Sequence, residues 1–592
     1  MTYKPPIEDL RFALATAGYD RLAAFFPAAD EATSRQVLEA AGALAEKVLA
    51  PLNHSGDEEG SRLENGRVAA PAGFKEAYRA FAEGGWTGLT ADSEVGGQGL
   101  PRALQSACYE MFQAANMAFA LCPTLSLAAI DALMAHGEES QRRRFLPRLV
   151  SGEWTGTMNL TEPQAGSDLG AIRTRAQSDG EGHWRLTGEK IFITWGDHDL
   201  ADNIVHMVLA RLPDSPPGTR GLSLFAVPAR LVGEDGEAGE ANALVVASIE
   251  KKLGIHASPT CVMRYEGAAG ELVGTPHQGL AAMFTMMNAA RLQVGVQGVG
   301  IAERAFQGAL AFSLERAQGR SAWTGAQPSP LFDHPDVRRT LMIVKAKIEA
   351  ARALCLSCAV AADLARLAPN PVDREAARLR EDLLTPIAKA WSTDRAVEAA
   401  SASLQVFGGM GFIEETGAAQ PYRDARILPI YEGTNGIQAI DLMGRKLAIG
   451  KGEAVRQLVS DMFVDAAALK SAEDPWLHPV GGHLEAALAA IQAATGWLLE
   501  RRGHAQPDAL AGAAPYLELM GDAVGGWMLG RQALAASEKL AAGDPDEGRW
   551  KTRIALARVF ASQILARAPG LGSAVSGGAV DLYRASAAAL GR

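Results

Sequence analysis

At 592 residues the chain is too long for one hydrophobic core, so two to four packed units are expected. Its 48% hydrophobic and 21% charged residues are the balance of an ordinary globular protein, and a net charge of −11 argues against a nucleic-acid scaffold, which needs a basic face. Five scattered cysteines exclude a disulfide framework and point to a reducing compartment.

Met1-Thr-Tyr-Lys-Pro-Pro-Ile-Glu8 lacks the apolar core of a signal peptide, and no uninterrupted 18-residue apolar run follows. The chain is therefore read as soluble and cytoplasmic. Residues 1–152 carry apolar positions at three- and four-residue spacing, predicting helices over Phe12–Phe26, Glu31–Ala50, Phe74–Glu83 and Arg102–Phe119. Gly96-Gly-Gln-Gly99 has no strand before it and no Lys-Ser/Thr after it, so it is a turn rather than a phosphate cradle.

The pattern changes over 153–274. β-branched and aromatic runs predict strands at Trp184–Thr194, Asn203–Leu212, Leu222–Pro228, Ala243–Ile249 and Cys261–Tyr265, separated by turns such as Asp179–Gly182 and Pro213–Gly221. No helix-length segment lies between them, which predicts an antiparallel barrel or sandwich. Helical spacing returns over 275–450, in Leu280–Arg316, Pro335–Arg366, Arg374–Phe407 and Asn435–Ala448, the pattern of a four-helix bundle. Gly295-Val-Gln-Gly-Val-Gly300 lies inside the first of these, so its glycines mean close helix packing rather than a dinucleotide fingerprint. Residues 317–334 form a long polar connection, placed to carry ligand contacts. Cys355 and Cys358 sit in an alanine- and leucine-rich helical run with no second cysteine pair or histidine group, so no metal site is read there. Residues 451–592 are alanine-rich and helical, with 14 Lys+Arg against 15 Asp+Glu, the composition of a region that packs against protein. The fold class is α+β: an N-terminal helical domain, a central β-barrel or sandwich, a helix bundle, and an additional all-α domain.

One carboxylate stands out. Glu432 follows Leu428, Ile430 and Tyr431 and precedes Gly433, and Thr434 or Asn435 can cap a helix presenting Ile437, Ile440, Met443 and Leu447. Such a boundary holds a carboxylate rigidly and partly desolvated, which raises its proton affinity and suits it to general-base work.

Three segments share a source. Gln405-Val-Phe-Gly-Gly-Met-Gly-Phe412 with Pro421–Arg426 and Tyr431–Thr434, then Met158–Gly170, then Gly188–Gly196, resemble the signatures of the acyl-CoA dehydrogenase family, in its order and at its approximate spacings. The resemblance covers roughly 35–450 and implies an FAD enzyme that oxidises an acyl-CoA thioester to the trans-2-enoyl-CoA. It makes Glu432 the base for the alpha proton and lets Gly433 bring the backbone close to substrate. Met158, Leu160, Thr161, Gly166 and Ser167 correspond to the flavin-edge loop, with Ser167 also reaching towards substrate. Phe192, Ile193 and Thr194 correspond to the aromatic-x-Thr element against the ring. Arg316, Gln405 and Gly409 match contacts to the neighbouring subunit's flavin, although the residues after Arg316 depart from the usual Thr-Phe-Gly. Thr434 is assigned to the flavin site, and Asn288, in place of the usual aspartate, lines the coenzyme A channel with Arg291. Electron-transfer flavoprotein is the implied acceptor. The extension of about 140 residues resembles that of larger bacterial members, including those acting on 3-(methylthio)propanoyl-CoA, and implies a homodimer. Other short- to medium-chain thioesters remain candidate substrates. The competing readings are an acyl-CoA oxidase using oxygen and a flavin-containing nucleic-acid-binding relative.

Overall fold

In the computed structural model of the chain, residues 3–26, 29–180 and 183–591 are described. Glu181 and Gly182 of the expected turn lie outside them, as do Met1 and Thr2.

The N-terminal part is helical, and two helices end where a local signal ends them. The first runs Ile7–Ala17 and stops at Gly18, whose φ of +87° takes the left-handed conformation that closes a helix. The expected single helix Arg102–Phe119 is two, Arg102–Ala115 and Met117–His136. Asn116 turns extended, and its side chain accepts from the Phe119 N–H at 3.1 Å, capping the second helix. That second helix is long and apolar enough to cross a membrane, but it is mostly buried, packed against Gly279–Glu315 and Trp154–Asn159.

Seven strands form the middle unit: β1 Trp154–Asn159, β2 Arg175–Ser178, β3 Trp184–Thr194, β4 Asn203–Arg211, β5 Leu222–Pro228, β6 Leu244–Ile249 and β7 Thr260–Val273. Strands β7, β3, β2, β4 and β5 pair in a ring that returns to β7, with β6 on the outside of β7. β1 lies parallel to β4, and a single parallel pair, Arg175 with Arg211, joins β2 to β4. The other pairs of this sheet are antiparallel, as expected. The parallel edge escapes a reading of neighbouring strands because β2 and β3 themselves supply the long crossover that parallel pairing requires.

The helices Gly279–Glu315, Pro335–Leu367, Pro371–Val406 and Asn435–Gly444 form the bundle. A Cβ on Gly295 would stand 2.8 Å from the Ala388 carbonyl oxygen, and one on Gly298 would stand 3.0 Å from that of Ser392. These glycines therefore seat the first bundle helix directly on the backbone of the third. All five cysteines are buried and free, and burial pushes the Cys355 thiol up to about 12.

Beyond 452 the chain forms further helices, chiefly Glu453–Ser471, His478–Arg501, Ala513–Ala541 and Glu547–Gln563. Gly521 of the third lies against Trp391 of the bundle, and the Trp391 indole N–H donates to Asp522 Oδ1 at 2.8 Å. One continuous apolar core joins the N-terminal helices, the bundle and this extension. A separate core lies where the middle unit meets the last N-terminal helices and the start of the bundle.

Candidate active site

Glu432 sits in a reversal between two bundle segments. Leu428 is buried, and the Tyr431 hydroxyl donates to Gln297 Oε1 on the first bundle helix, which pins the entry. Glu432 has φ +54° and Gly433 φ +80°, two successive left-handed residues that turn the chain. For glutamate that conformation costs on the order of 1–2 kcal/mol, and it persists because its neighbours hold it. The Asn435 N–H donates to the Pro429 carbonyl at 3.0 Å, closing the loop. Thr434 is the cap of the next helix, its hydroxyl accepting from the Ile437 N–H at 3.3 Å.

The loop's carbonyls are held from the bundle side. Gln438 Nε2 donates to the carbonyls of Glu432 and Gly433 at 3.3 Å each. Lys389 Nζ, wholly buried, donates to the Gly433 carbonyl at 2.9 Å and to Asn435 Oδ1 at 2.8 Å. This explains one departure from the expected apolar face. Ile440 is exposed while Gln438 and Asp441 are buried, because the inward side of this helix serves hydrogen bonds as well as the packing of Leu442 and Met443.

Charge accompanies the geometry. Burial pushes the Glu432 carboxyl up to about 7, against the opposing pull of the Arg291 and Lys389 cations. Burial likewise takes Lys389 down to about 7, resisted by Glu432 and Asp394. Two groups this close titrate as a pair. Arg291 is buried, with Nη1 3.5 Å from Asp441 Oδ2 and its guanidinium 5.9 Å above the Phe284 ring. Asn288 and Arg291 line a polar cleft of about 220 Å³ together with Arg378, Asp382, Thr385 and Lys446. A partly buried carboxylate with raised proton affinity, on a rigid loop beside two cations, is equipped to take a proton.

The two upstream segments are fastened to each other. The Ile191 N–H donates to the Thr161 carbonyl at 2.9 Å, and the buried Lys190 Nζ donates to the Leu160 carbonyl and Glu162 Oε1, both at 2.9 Å. Glu162 also accepts from the Arg173 and Thr174 N–H groups and from the Thr174 hydroxyl. Met158 and Leu160 pack on the same apolar cluster as Phe284, the ring beneath Arg291. Gly166 and Ser167 lie in the exposed turn that follows. The β3–β7 register slips between Ile193 and Lys190, and in that bulge Phe192 takes φ +60° with 58% of its surface exposed, while Ile193 is buried.

Arg316, Gln405 and Gly409 lie elsewhere. Gln405 is 16 residues past Lys389 on one helix, about 24 Å at 1.5 Å per residue. Arg316 ends the first bundle helix, 25 residues past Arg291 and about 37 Å away. The Phe312–Phe407 stack, at 4.6 Å between centroids, brings these two ends together. Around them Leu314, Met410 and Phe412 are exposed, Phe412 at 88%.

Family models match nearly the whole chain: the acyl-CoA dehydrogenase N-terminal domain at 31–153, middle domain at 157–268 and C-terminal domain at 277–447, then an acetyl-CoA dehydrogenase C-terminal-like region at 454–586. The chain belongs to the acyl-CoA dehydrogenase family. It is thus an oxidoreductase acting on acyl-CoA, in a family of flavoproteins that bind FAD. The 3-methylmercaptopropionyl-CoA dehydrogenase of Ruegeria pomeroyi is 46% identical over 95% of this chain and 96% of its own length. The broad-specificity linear acyl-CoA dehydrogenase FadE5 of Mycobacterium tuberculosis is 34% identical over 91% of each. Among solved structures, Caenorhabditis elegans ACDH-11 in complex with C11-CoA shares the fold, with TM-score 0.78 at 22% identity over 95% of this chain and 92% of its own.

The residues present in this acyl-CoA dehydrogenase fit a flavin. Phe192 offers an open aromatic face, and a Cβ on Gly408 or Gly409 would meet nothing within 4 Å, leaving backbone accessible. Reading the residues in order misses Lys389, Gln438 and the Glu162–Lys190 pair. A lone lysine in the apolar run Ile387-Ala-Lys-Ala-Trp391 was the available signal, since a buried cation requires a partner.

Proposed function

We propose that this protein catalyses FAD-dependent α,β-dehydrogenation of a short acyl-CoA thioester, with 3-(methylthio)propanoyl-CoA the candidate substrate. The observation that carries the reaction is Glu432, a carboxylate held at φ +54° with its proton affinity raised to about 7. In this reading Glu432 takes the alpha proton of the thioester, leaving electron density at the carbonyl oxygen. The Glu432 backbone N–H would help stabilise that oxygen, worth several kcal/mol for a well-aimed donor. Arg291 favours the ionised form of the base. Bound FAD supplies the acceptor for the beta hydride, a role no side chain can fill. Met158, Leu160, Thr161, Gly166, Phe192, Ile193 and Thr194 would hold its ring, Ser167 would reach its pyrophosphate or the substrate's pantetheine arm, and Thr434 would contribute to the flavin site. Ser167, Asn288, Arg291 and Gly433 would meet the substrate. Electron-transfer flavoprotein is the proposed acceptor, and the proposed setting is cytoplasmic.

Arg316, Gln405 and Gly409 lie too far along their helices to reach their own chain's Glu432 loop. They would serve a partner copy's flavin, which supports a homodimer. The substrate is supported by the 46% identical Ruegeria relative, whose name states that thioester.

The test is a panel of short, methylthio-substituted, branched and long acyl-CoAs assayed with an artificial electron acceptor. The methylthio and short thioesters are expected to give the highest kcat/KM; a long-chain optimum would overturn the substrate. Glu432→Gln is expected to retain yellow flavin and lose roughly a hundredfold or more in turnover. Unchanged turnover would assign the base elsewhere.

A further inference from the structure

Lys389 is a charged group with no part in proton or hydride transfer. It lies on the third bundle helix with no exposed surface, and its Nζ bonds to the Gly433 carbonyl and to Asn435 at the end of the loop that carries the base. A buried ammonium is costly unless it is bonded and faced by negative charge. Here the negative groups facing it are Glu432 from the loop and Asp394 one turn along its own helix. Asn435 connects them, because its Nδ2 donates to Asp394 Oδ1 at 2.7 Å and to the Ala390 carbonyl at 3.1 Å while its Oδ1 accepts from Lys389. The other charged groups around the pair are Arg291, from the first bundle helix, and through it Asp441 and Arg445 of the helix after the loop.

The bonds dictate an orientation. With the Glu432 carbonyl turned to Gln438 and the Gly433 carbonyl to Lys389, the following N–H groups of Gly433 and Thr434 point the opposite way, because C=O and N–H are antiparallel across a trans peptide. A side chain that grips the carbonyl on one face of the loop thereby aims the donors on the other.

We infer that Lys389 is a positioning residue for the dehydrogenation: its buried Nζ clamps the Gly433 peptide and Asn435, keeping the Glu432 loop in its left-handed turn. The inference rests on Glu432 being the base. It predicts two separable losses when the lysine goes. Losing the clamp lowers kcat at saturating pH, and losing the cation moves the acidic limb of the pH–rate profile upward, since a neighbouring positive charge favours the carboxylate.

The experiment compares wild type, Lys389→Met, Lys389→Gln, Asn435→Ala and Glu432→Gln as purified flavin-loaded proteins, scored for flavin absorbance, thermal midpoint and kcat from pH 5.5 to 9.5. Lys389→Met is expected to lose about tenfold or more in kcat at high pH, with its acidic limb displaced upward by about one pH unit. Lys389→Gln keeps a donor without the charge, so it is expected to recover part of kcat while its acidic limb stays displaced. A merely structural lysine would leave the limb where it is. If Lys389→Met does not fold or bind flavin, Asn435→Ala decides: it removes one of the lysine's two hydrogen-bond acceptors and is expected to move kcat and the limb in the same directions, by less. A folded, flavin-bound variant with unmoved kcat and unmoved limb overturns the inference while Glu432→Gln stays inactive. An active Glu432→Gln instead overturns the assignment of the base, whatever the lysine variants show.

Discussion

At the scale of single residues, the protein keeps a glutamate in a conformation glutamate avoids and sets burial, which raises its proton affinity, against two cations that lower it. Desolvation wins, and the carboxyl titrates near 7 instead of its usual 4.5. A base works only when ionised, so below pH 7 kcat is expected to fall about tenfold per pH unit and above it to level off; a profile flat down to pH 5 would deny this carboxyl the role. Stability follows the opposite sign. The folded state retains this proton at pH values where the unfolded chain has released it, so the site's contribution to stability is lost as pH rises from about 4.5 to about 7. The thermal midpoint of Glu432→Gln should therefore fall less than that of wild type between pH 5 and pH 7.5. The position of Glu432 was conspicuous in the sequence. Its partners Lys389 and Gln438 were not, because nothing in a linear pattern says which neighbour a buried polar side chain will find.

At the scale of elements, the long bundle helices were readable to within a few residues, whereas the expected Phe12–Phe26 runs Ile7–Ala17 because Gly18 ends it early, and the strands were readable where β-branched and aromatic runs were long. β1 and β2 went unread although β1 carries Met158, because Trp154–Asn159 and Arg175–Ser178 are only 6 and 4 residues long and lack the run of apolar β-branched and aromatic residues that marks the other strands. The run Gly295–Gly300 was read as helix packing, and the glycine-to-backbone approaches are its physical content. Gly295→Ala forces a methyl group onto the Ala388 carbonyl, next to Lys389. It is expected to cost about 1–3 kcal/mol in chemical denaturation, as overpacking does. An unchanged denaturation midpoint would mean that the helices part without penalty.

At the scale of the whole molecule, the parts are joined by buried charge as well as by apolar surface. Arg352 is wholly buried and bonded to Glu110 of the N-terminal helices and to Glu303 and Glu349 of the bundle. Lys345 adds bonds to Asp9 and Glu303, and Arg553 of the extension bonds Glu349 and Asp9. Three cations and four carboxylates thus tie three regions at one place. Removing one member leaves the others uncompensated, which typically costs about 3–5 kcal/mol. Arg553→Met should lower the thermal midpoint and expose the extension to proteolysis ahead of the rest; cleavage at the wild-type rate would show that apolar packing alone holds it. A second tie lies at the middle unit, where Asp424 accepts from the Ile255 N–H while Arg423 pairs with Asp57. The Pro421–Arg426 segment, noticed first as a signature, acts as a clasp between regions.

The sequence of helical and β regions and the family were settled by the chain itself, because periodicity, caps and signature spacings are local properties. Which residues meet was decided only on folding. Lys389 finds a loop 44 positions away, Glu162 finds Lys190, and Arg316 is carried away from the site of its own chain. A buried charge must be matched wherever the packing puts it, and the packing belongs to the whole chain.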